Sequence, residues 1–170
     1  MTSLTKTEIV KLKNELPLRT QAFINGAFTD AIAAQKFESI NPATGDVICA
    51  VSHCHGEDID NAVKAARTSF ESGTWSRSAP EDRKGVLLKL ADLVRCHADV
   101  LSVMESIDSG KTITDCHHEI SVEVASCFQW YAELIDKRFG KIASTGEEAL
   151  ALILKEPVGV AGLVVPWNFP

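Results

Sequence analysis

An apolar run over residues 158–165, Val-Gly-Val-Ala-Gly-Leu-Val-Val, is the feature that most constrains the fold of this chain. A strand that is apolar on both faces belongs inside a sheet covered by helices, which is typical of parallel sheets in α/β proteins. The run is also far shorter than the roughly 20 residues with which a helix spans a bilayer. It therefore predicts the first strand of a parallel sheet in an α/β fold, and we expect no membrane association.

Four segments before this run have the apolar spacing of helices. They cover residues 57–72, 78–96, 98–109 and 120–138. Ser78 and Glu81 have the spacing of a capping box, with Pro80 suited to the first turn. Gly73 and Gly110 suit the left-handed residue that follows a helix. The pattern predicts a layer of four helices.

The first 52 residues predict smaller elements. Residues 4–16 form an amphipathic pattern that Pro17 ends, which indicates a peripheral helix. Asn25 and Gly26 tolerate the two positive φ angles of a type I′ turn and predict a hairpin. Residues 37–40 and 46–52 predict two more short strands around a turn at 41–45.

Composition limits the function. The 170 residues include 17 Lys and Arg against 23 Asp and Glu, a net charge of −6, which is the wrong sign for binding nucleic acid. Five cysteines, an odd number, and an N-terminus with no apolar leader favour free thiols in a reducing compartment. We therefore expect a cytoplasmic location.

Several apparent motifs do not support a function. Gly110-Lys-Thr resembles part of a phosphate-binding loop, but Glu105 stands where that motif needs glycine, and the triplet follows a helix. Gly159 and Gly162 form only a Gly-x-x-Gly, which is not a dinucleotide fingerprint. Two groups of Cys and His make zinc conceivable, but their spacing disfavours tetrahedral binding. These groups are Cys49, His53, Cys54 and His55, and Cys116, His117 and His118.

A solvated helix face is the better interpretation of three further acidic residues. They are Glu119, Glu123 and Glu133.

The residues just after the apolar run are a stronger candidate site. Pro166 and Pro170 bracket Trp167, Asn168 and Phe169. In α/β proteins, ligands bind beyond the carboxyl ends of the strands, and the prolines would hold the Asn168 amide rigidly. Alternatively, Asn168 only bonds its own backbone in a turn. The residues alone leave both interpretations open.

Several separated motifs resemble the aldehyde dehydrogenase superfamily, in the same order along the chain. They are Phe23-Ile-Asn-Gly, Asn41-Pro-Ala-Thr-Gly-Asp, Glu105-Ser-Ile-Asp-Ser-Gly-Lys, Glu156-Pro-Val-Gly-Val and Val165-Pro-Trp-Asn-Phe-Pro. The resemblance covers residues 20–170. Within the superfamily, the sequence most resembles the branch that acts on gamma-glutamyl-gamma-aminobutyraldehyde in putrescine breakdown.

The resemblance implies roles for individual residues. Asn168 would be catalytic, donating to the oxyanion that forms when a cysteine thiolate attacks the aldehyde. Residues lining NAD or NADP would be Val164, Val165, Pro166 and Trp167. Phe169 would line the aldehyde tunnel. A monovalent-cation site would use Ser39, Ile40 and Asp108.

The resemblance also implies an organisation. Residues 1–18 would be a helical extension, 19–142 the N-terminal part of the cofactor-binding domain, 143–157 an oligomerisation arm, and 158–170 the first strand of a Rossmann-like sheet. The full enzyme would be a homo-oligomer that oxidises a small aldehyde to the acid. Its catalytic cysteine and glutamate would lie beyond residue 170, so the isolated chain should be inactive. The alternative is a stand-alone, non-catalytic helical module that binds a partner through the apolar C-terminal strand.

Overall fold

A computed structural model of the chain describes residues 4–166. The helices are α1 Lys6–Asn14, α2 Gly56–Ser72, α3 Pro80–Cys96, α4 Ala98–Ser109, α5 Ile113–His118 and α6 Ala125–Ile135, with a π-helical segment, Glu119–Val124, between α5 and α6. The strands are β1 Ala22–Ile24, β2 Ala27–Thr29, β3 Lys36–Ile40, β4 Val47–Ser52, β5 Lys141–Ala143 and β6 Ala151–Ile153. They form three antiparallel pairs, β1–β2, β3–β4 and β5–β6.

The two predicted N-terminal strand pairs are confirmed. Asn25 and Gly26 have φ values of 52° and 78°, so the β1–β2 turn uses the positive angles that this dipeptide tolerates. In the β3–β4 pair the register shifts between Ser39 and Ile40. Such an irregularity bends a strand locally and redirects its side chains.

Small residues form the core of the helical layer, where α3 packs against α6. Ala91 of α3 and Ala132 of α6 are almost completely buried, as are Ala98 and Ala125. Because alanine has only a methyl group, the helix backbones can approach closely. Val103 of α4 is 1% exposed. The four predicted helical segments are therefore present, with α3 and α6 at the centre of the layer, but α2 has its main contacts with β1 rather than with the other helices.

Two predictions at helix ends are wrong. The cap of α3 is Ala79, with no side-chain hydrogen bond, while the Ser78 hydroxyl donates to the Trp75 carbonyl and not to a helix amide. Pro80 does occupy the first helical position. The predicted helix over 120–138 is not one regular α-helix, because it includes the π-helical segment and ends at Ile135.

The C-terminal apolar run differs most from the prediction. Residues 158–166 form no strand, and Val158 and Leu163 are 104% and 89% exposed. A strand needs a neighbour to complete its hydrogen bonds, and no strand within residues 4–166 lies beside this run. The expected first strand of a parallel sheet is therefore absent from the described part of the chain.

The apolar face of α2 is also largely uncovered, with Ile59 and Val63 58% and 47% exposed. Between residues 4 and 166, no helix has the length and apolar character to cross a membrane.

Candidate functional site

An apolar cleft of about 450 Å³ lies where the β3–β4 pair meets α4 and the π-helical segment. Strand β4 contributes Ile48 and Val51, α4 contributes Leu101 and Met104, and the π-helical segment contributes Ile120. The polar side chains of Ser39, Glu105 and Asp108 lie along this cleft. The cleft therefore joins the predicted cation-site residues to a cluster of charges.

The structure brings two of the three predicted cation ligands together. The Ser39 hydroxyl donates to the Asp108 carboxylate at 2.8 Å, joining β3 to the C-terminal turn of α4. Ile40 follows Ser39 directly, at the register shift. Oxygen donors at the negative end of a helix dipole suit a hard cation. The cation site over these residues stays a prediction.

Beside them, Lys111 lies between two glutamates. Its ammonium is 2.5 Å from the Glu119 carboxylate and 3.9 Å from the Glu105 carboxylate. The Glu119 side chain is only 24% exposed, so the prediction of a solvated face is wrong for this residue. Glu119 begins the π-helical segment. Because a π-helix has wider turns than an α-helix, α-helical spacing could not predict the position of this side chain.

The triplet at 110–112 also has a local role. Gly110 adopts φ 78° after α4, as expected, and the Thr112 side chain accepts a hydrogen bond from the Asp115 amide at the start of α5. A short helix thus follows the triplet directly, which the sequence did not predict.

Burial and charge perturb this cluster. Burial raises the pKa of Glu105, although the Lys111 charge opposes the change. For Lys111, burial lowers the pKa, but the hydrogen bond to Glu119 and the charges of both glutamates raise it overall. Burial, followed by the Glu105 charge, raises the pKa of the Cys116 thiol. A buried thiol with a raised pKa is a poor nucleophile, so Cys116 is suited to packing and not to catalysis.

The two Cys and His groups remain dispersed. His55 is hydrogen-bonded through Nε2 to the Gln35 side chain, and its ring lies 4.5 Å from the His53 ring. His117 pairs with Asp99 at 3.1 Å. Among residues 4–166, no three His, Cys, Asp or Glu side chains are arranged to hold a metal ion.

The segment before the proposed catalytic asparagine passes over α2. Gly159 has φ 135°, and a Cβ there would lie 3.2 Å from the Arg67 guanidinium. The sequence did not predict that Gly159 lies close to Arg67, because nothing in the local pattern links the two positions. Val164 and Val165 are 99% and 73% exposed. Pro166 is also exposed, whereas Trp167, Asn168 and Phe169 lie outside the described residues.

The comparisons with known proteins agree with the motifs. The aldehyde dehydrogenase family model matches residues 28–170. The chain is 46% identical over 167 residues to an aminoacetaldehyde dehydrogenase of Pseudomonas aeruginosa, covering 98% of this chain and 34% of that protein. It is 43% identical over 155 residues to the NADP/NAD-dependent aldehyde dehydrogenase PuuC of Escherichia coli K12, covering 91% and 31%.

A solved structure supports the same conclusion. The gamma-glutamyl-gamma-aminobutyraldehyde dehydrogenase of Burkholderia cenocepacia superposes with a TM-score of 0.94 at 40% identity, over 98% of this chain and 34% of that one. The chain thus belongs to the aldehyde dehydrogenase family and has the fold of its N-terminal part. It spans about a third of the length of the relatives it matches.

Proposed function

We propose that this chain is the N-terminal segment of an NAD(P)-dependent aldehyde dehydrogenase, which oxidises a small aldehyde to its carboxylic acid. The observation that carries the proposal is the family match, which runs through Pro170 and so includes the Pro-Trp-Asn-Phe-Pro sequence. The similarity to enzymes named for amino-aldehydes supports an amino-aldehyde substrate, with putrescine breakdown as its setting. Homologues in this family are NAD(P)-dependent.

The chain's contribution to catalysis is electrostatic. Asn168 would donate its side-chain amide to the oxyanion of the attacked aldehyde. An uncharged donor suits this role, because it stabilises developing charge without an ion pair that must first be broken. A single such donor supplies about 3–4 kcal/mol, well below the roughly 8–23 kcal/mol of enzymatic acceleration. The chain by itself should therefore not catalyse the reaction.

The exposed C-terminal run fits a nicotinamide cofactor, which when bound would accept the hydride. Val164 and Val165 carry no charge and are uncovered, so they offer an apolar surface against which a flat ring can pack. Pro166 would hold the chain direction at the end of that surface. Trp167 would extend the same wall, and Phe169 would line the aldehyde path.

Other surfaces support the remaining proposals. Ser39, Ile40 and Asp108 would hold a monovalent cation mostly through backbone oxygens, and the Ser39–Asp108 hydrogen bond would keep β3 beside the end of α4. The arm over 143–157 contains β6 and would serve oligomerisation, because Leu152 and Leu154 are 57% and 71% exposed. We further propose a homo-oligomer in the cytoplasm. The family match favours the dehydrogenase segment over the alternative of a stand-alone, non-catalytic binding module.

Two assays test the proposal. The purified 170-residue chain, incubated with NAD or NADP and an amino-aldehyde, should form no NADH or NADPH. In the full-length enzyme to which we assign this segment, Asn168→Ala should lower kcat about 10²- to 10³-fold. Its fold, followed by circular dichroism, should not change. Saturable activity of the 170-residue chain, or an unchanged kcat in Asn168→Ala, would refute this assignment of roles.

A further inference from the structure

A second cleft, of about 560 Å³, lies on another part of the molecule, between the start of α3, the end of α6 and residues 155–157. We call it the basic cleft, because Arg83, Arg138 and Lys155 line it with only one acidic residue, Glu156. The whole chain carries a net charge of −6. The basic cleft is therefore positively charged although the chain as a whole is negatively charged.

Internal ion pairs do not account for these charges. Within residues 4–166, neither Arg138 nor Lys155 forms an ion pair or a side-chain hydrogen bond. The acid nearest to Arg138 in sequence, Asp136, already accepts from Lys84 at 2.6 Å and from Lys137 at 3.0 Å. Glu156 follows Lys155 directly in sequence but forms no ion pair with it among the described residues. The acids in the first turn of α3, Glu81 and Asp82, line a different cleft together with Lys89.

Arg83 is held in place before any ligand arrives. One of its terminal nitrogens donates to the Ser78 carbonyl at 2.5 Å, in the turn that leads into α3. A guanidinium has five N–H donors, so this bond leaves others to meet a ligand. An oriented guanidinium beside further cations is the arrangement that recognises phosphate oxygens.

The cleft is too large for a bare phosphate, and apart from Ser76 the rest of its lining is apolar. Trp75 lines it and is 46% exposed, and Pro80, Ile135 and Pro157 line it as well. An exposed indole offers a face for a flat ring. We propose that the basic cleft binds a small phosphorylated molecule that carries a planar ring. Arg83, Arg138 and Lys155 would hold the phosphate, and Trp75 would pack on the ring.

The site uses neither residues 158–170 nor the Ser39–Asp108 contact, so it does not depend on the dehydrogenase activity, although its residues 155–157 belong to the arm over 143–157. Its test therefore needs no catalysis. We would titrate the chain with phenyl phosphate, phenol and inorganic phosphate, following the Trp75 indole N–H by NMR and identifying that signal by its loss in Trp75→Phe. Phenyl phosphate should bind saturably and more tightly than either fragment alone.

Charge variants make the test specific. The double substitution R138Q/K155Q, at two exposed positions, should weaken phenyl phosphate binding at least about tenfold. The matched control K6Q/K64Q removes two exposed lysines from α1 and α2 and should leave binding unchanged. Glu156→Gln removes the one acid of the cleft and should tighten binding, which provides a readout even if the double variant does not fold.

Four results would overturn the proposal. They are no saturable binding in the millimolar range, phenol binding as tightly as phenyl phosphate, equal weakening by the two double variants, and no tightening in Glu156→Gln.

Discussion

The helical layer and the C-terminal run contain similar apolar residues, but these are buried in the layer and exposed in the run. Val103 of α4 is 1% exposed, whereas Val164 is 99% exposed. The difference lies in what surrounds each residue. In the layer, α3 packs against α6 and α4 packs against α5, whereas residues 161–165 of the run are exposed. Burying an apolar side chain is favourable, but the side chain becomes buried only where neighbouring elements pack against it.

The largest expected effect compares these two valines directly. Val103→Ala should lower the free energy of unfolding by about 2 kcal/mol, because it opens a cavity among residues that cannot fully collapse. Val164→Ala removes the same two methyl groups from an exposed site and should change it by less than about 0.5 kcal/mol. Urea unfolding followed by circular dichroism measures both. Equal effects would mean that the two regions are equally packed.

A smaller effect concerns two glycines, Gly73 at the end of α2 and Gly85 inside α3. Gly73 has φ 80°, and a Cβ there would lie 2.2 Å from the Arg77 guanidinium, which donates to the Glu71 and Ser72 carbonyls. Gly73→Ala should therefore cost about 1–2 kcal/mol in left-handed backbone strain, in addition to displacing Arg77.

The matched control for that change is Gly85→Ala, inside α3, where an added Cβ meets nothing within 4 Å. It should stabilise the chain by about 0.5–1 kcal/mol, because alanine favours helix over glycine. Thermal unfolding of the two variants should show Tm shifts of opposite sign. Shifts of the same sign would show that the backbone at Gly73 is not strained by a side chain.

The smallest effect lies at the edge of the layer. The Lys84 hydrogen bond, helped by Lys137, lowers the pKa of Asp136 to about 2. The unfolded chain, with an ordinary Asp pKa near 3.9, then binds more protons than the folded chain between these values. The Asp136 contribution to stability is complete above about pH 4 and is lost as the pH falls towards 2.

Asp136→Asn should therefore make the fall in stability over this acid range shallower, as measured by urea unfolding at several pH values. The control, Asp60→Asn, removes an exposed carboxylate of α2 for which the structure shows no ion pair among the described residues. If both substitutions change the acid slope equally, the Lys84 contact is not its source.

Local signals predicted much of the fold. The Asn25-Gly26 turn, the ends of helices at Gly73 and Gly110, and the helical spacing were sufficient because each depends on residues close together in the chain. The Ser39–Asp108 contact could be anticipated only from the family resemblance, since 69 residues separate the two side chains.

Other features could not be predicted from the sequence. The π-helical segment adds width to a helix without changing its apolar composition, so the periodicity did not reveal it. Ser78 has the spacing of a cap, but its hydroxyl donates to the Trp75 carbonyl in the preceding turn, and Ala79 is the cap residue. Glu119 has the character of a surface residue, yet Lys111 approaches it from a separate turn.

The sequence by itself determined the four longer helices, the two N-terminal hairpins and the family of the chain, because propensity, turn chemistry and motif order are properties of the chain alone. The tertiary structure decided which apolar residues are buried, which charges meet and where clefts form. These depend on elements that are distant in sequence approaching one another, and no local pattern specifies such an approach.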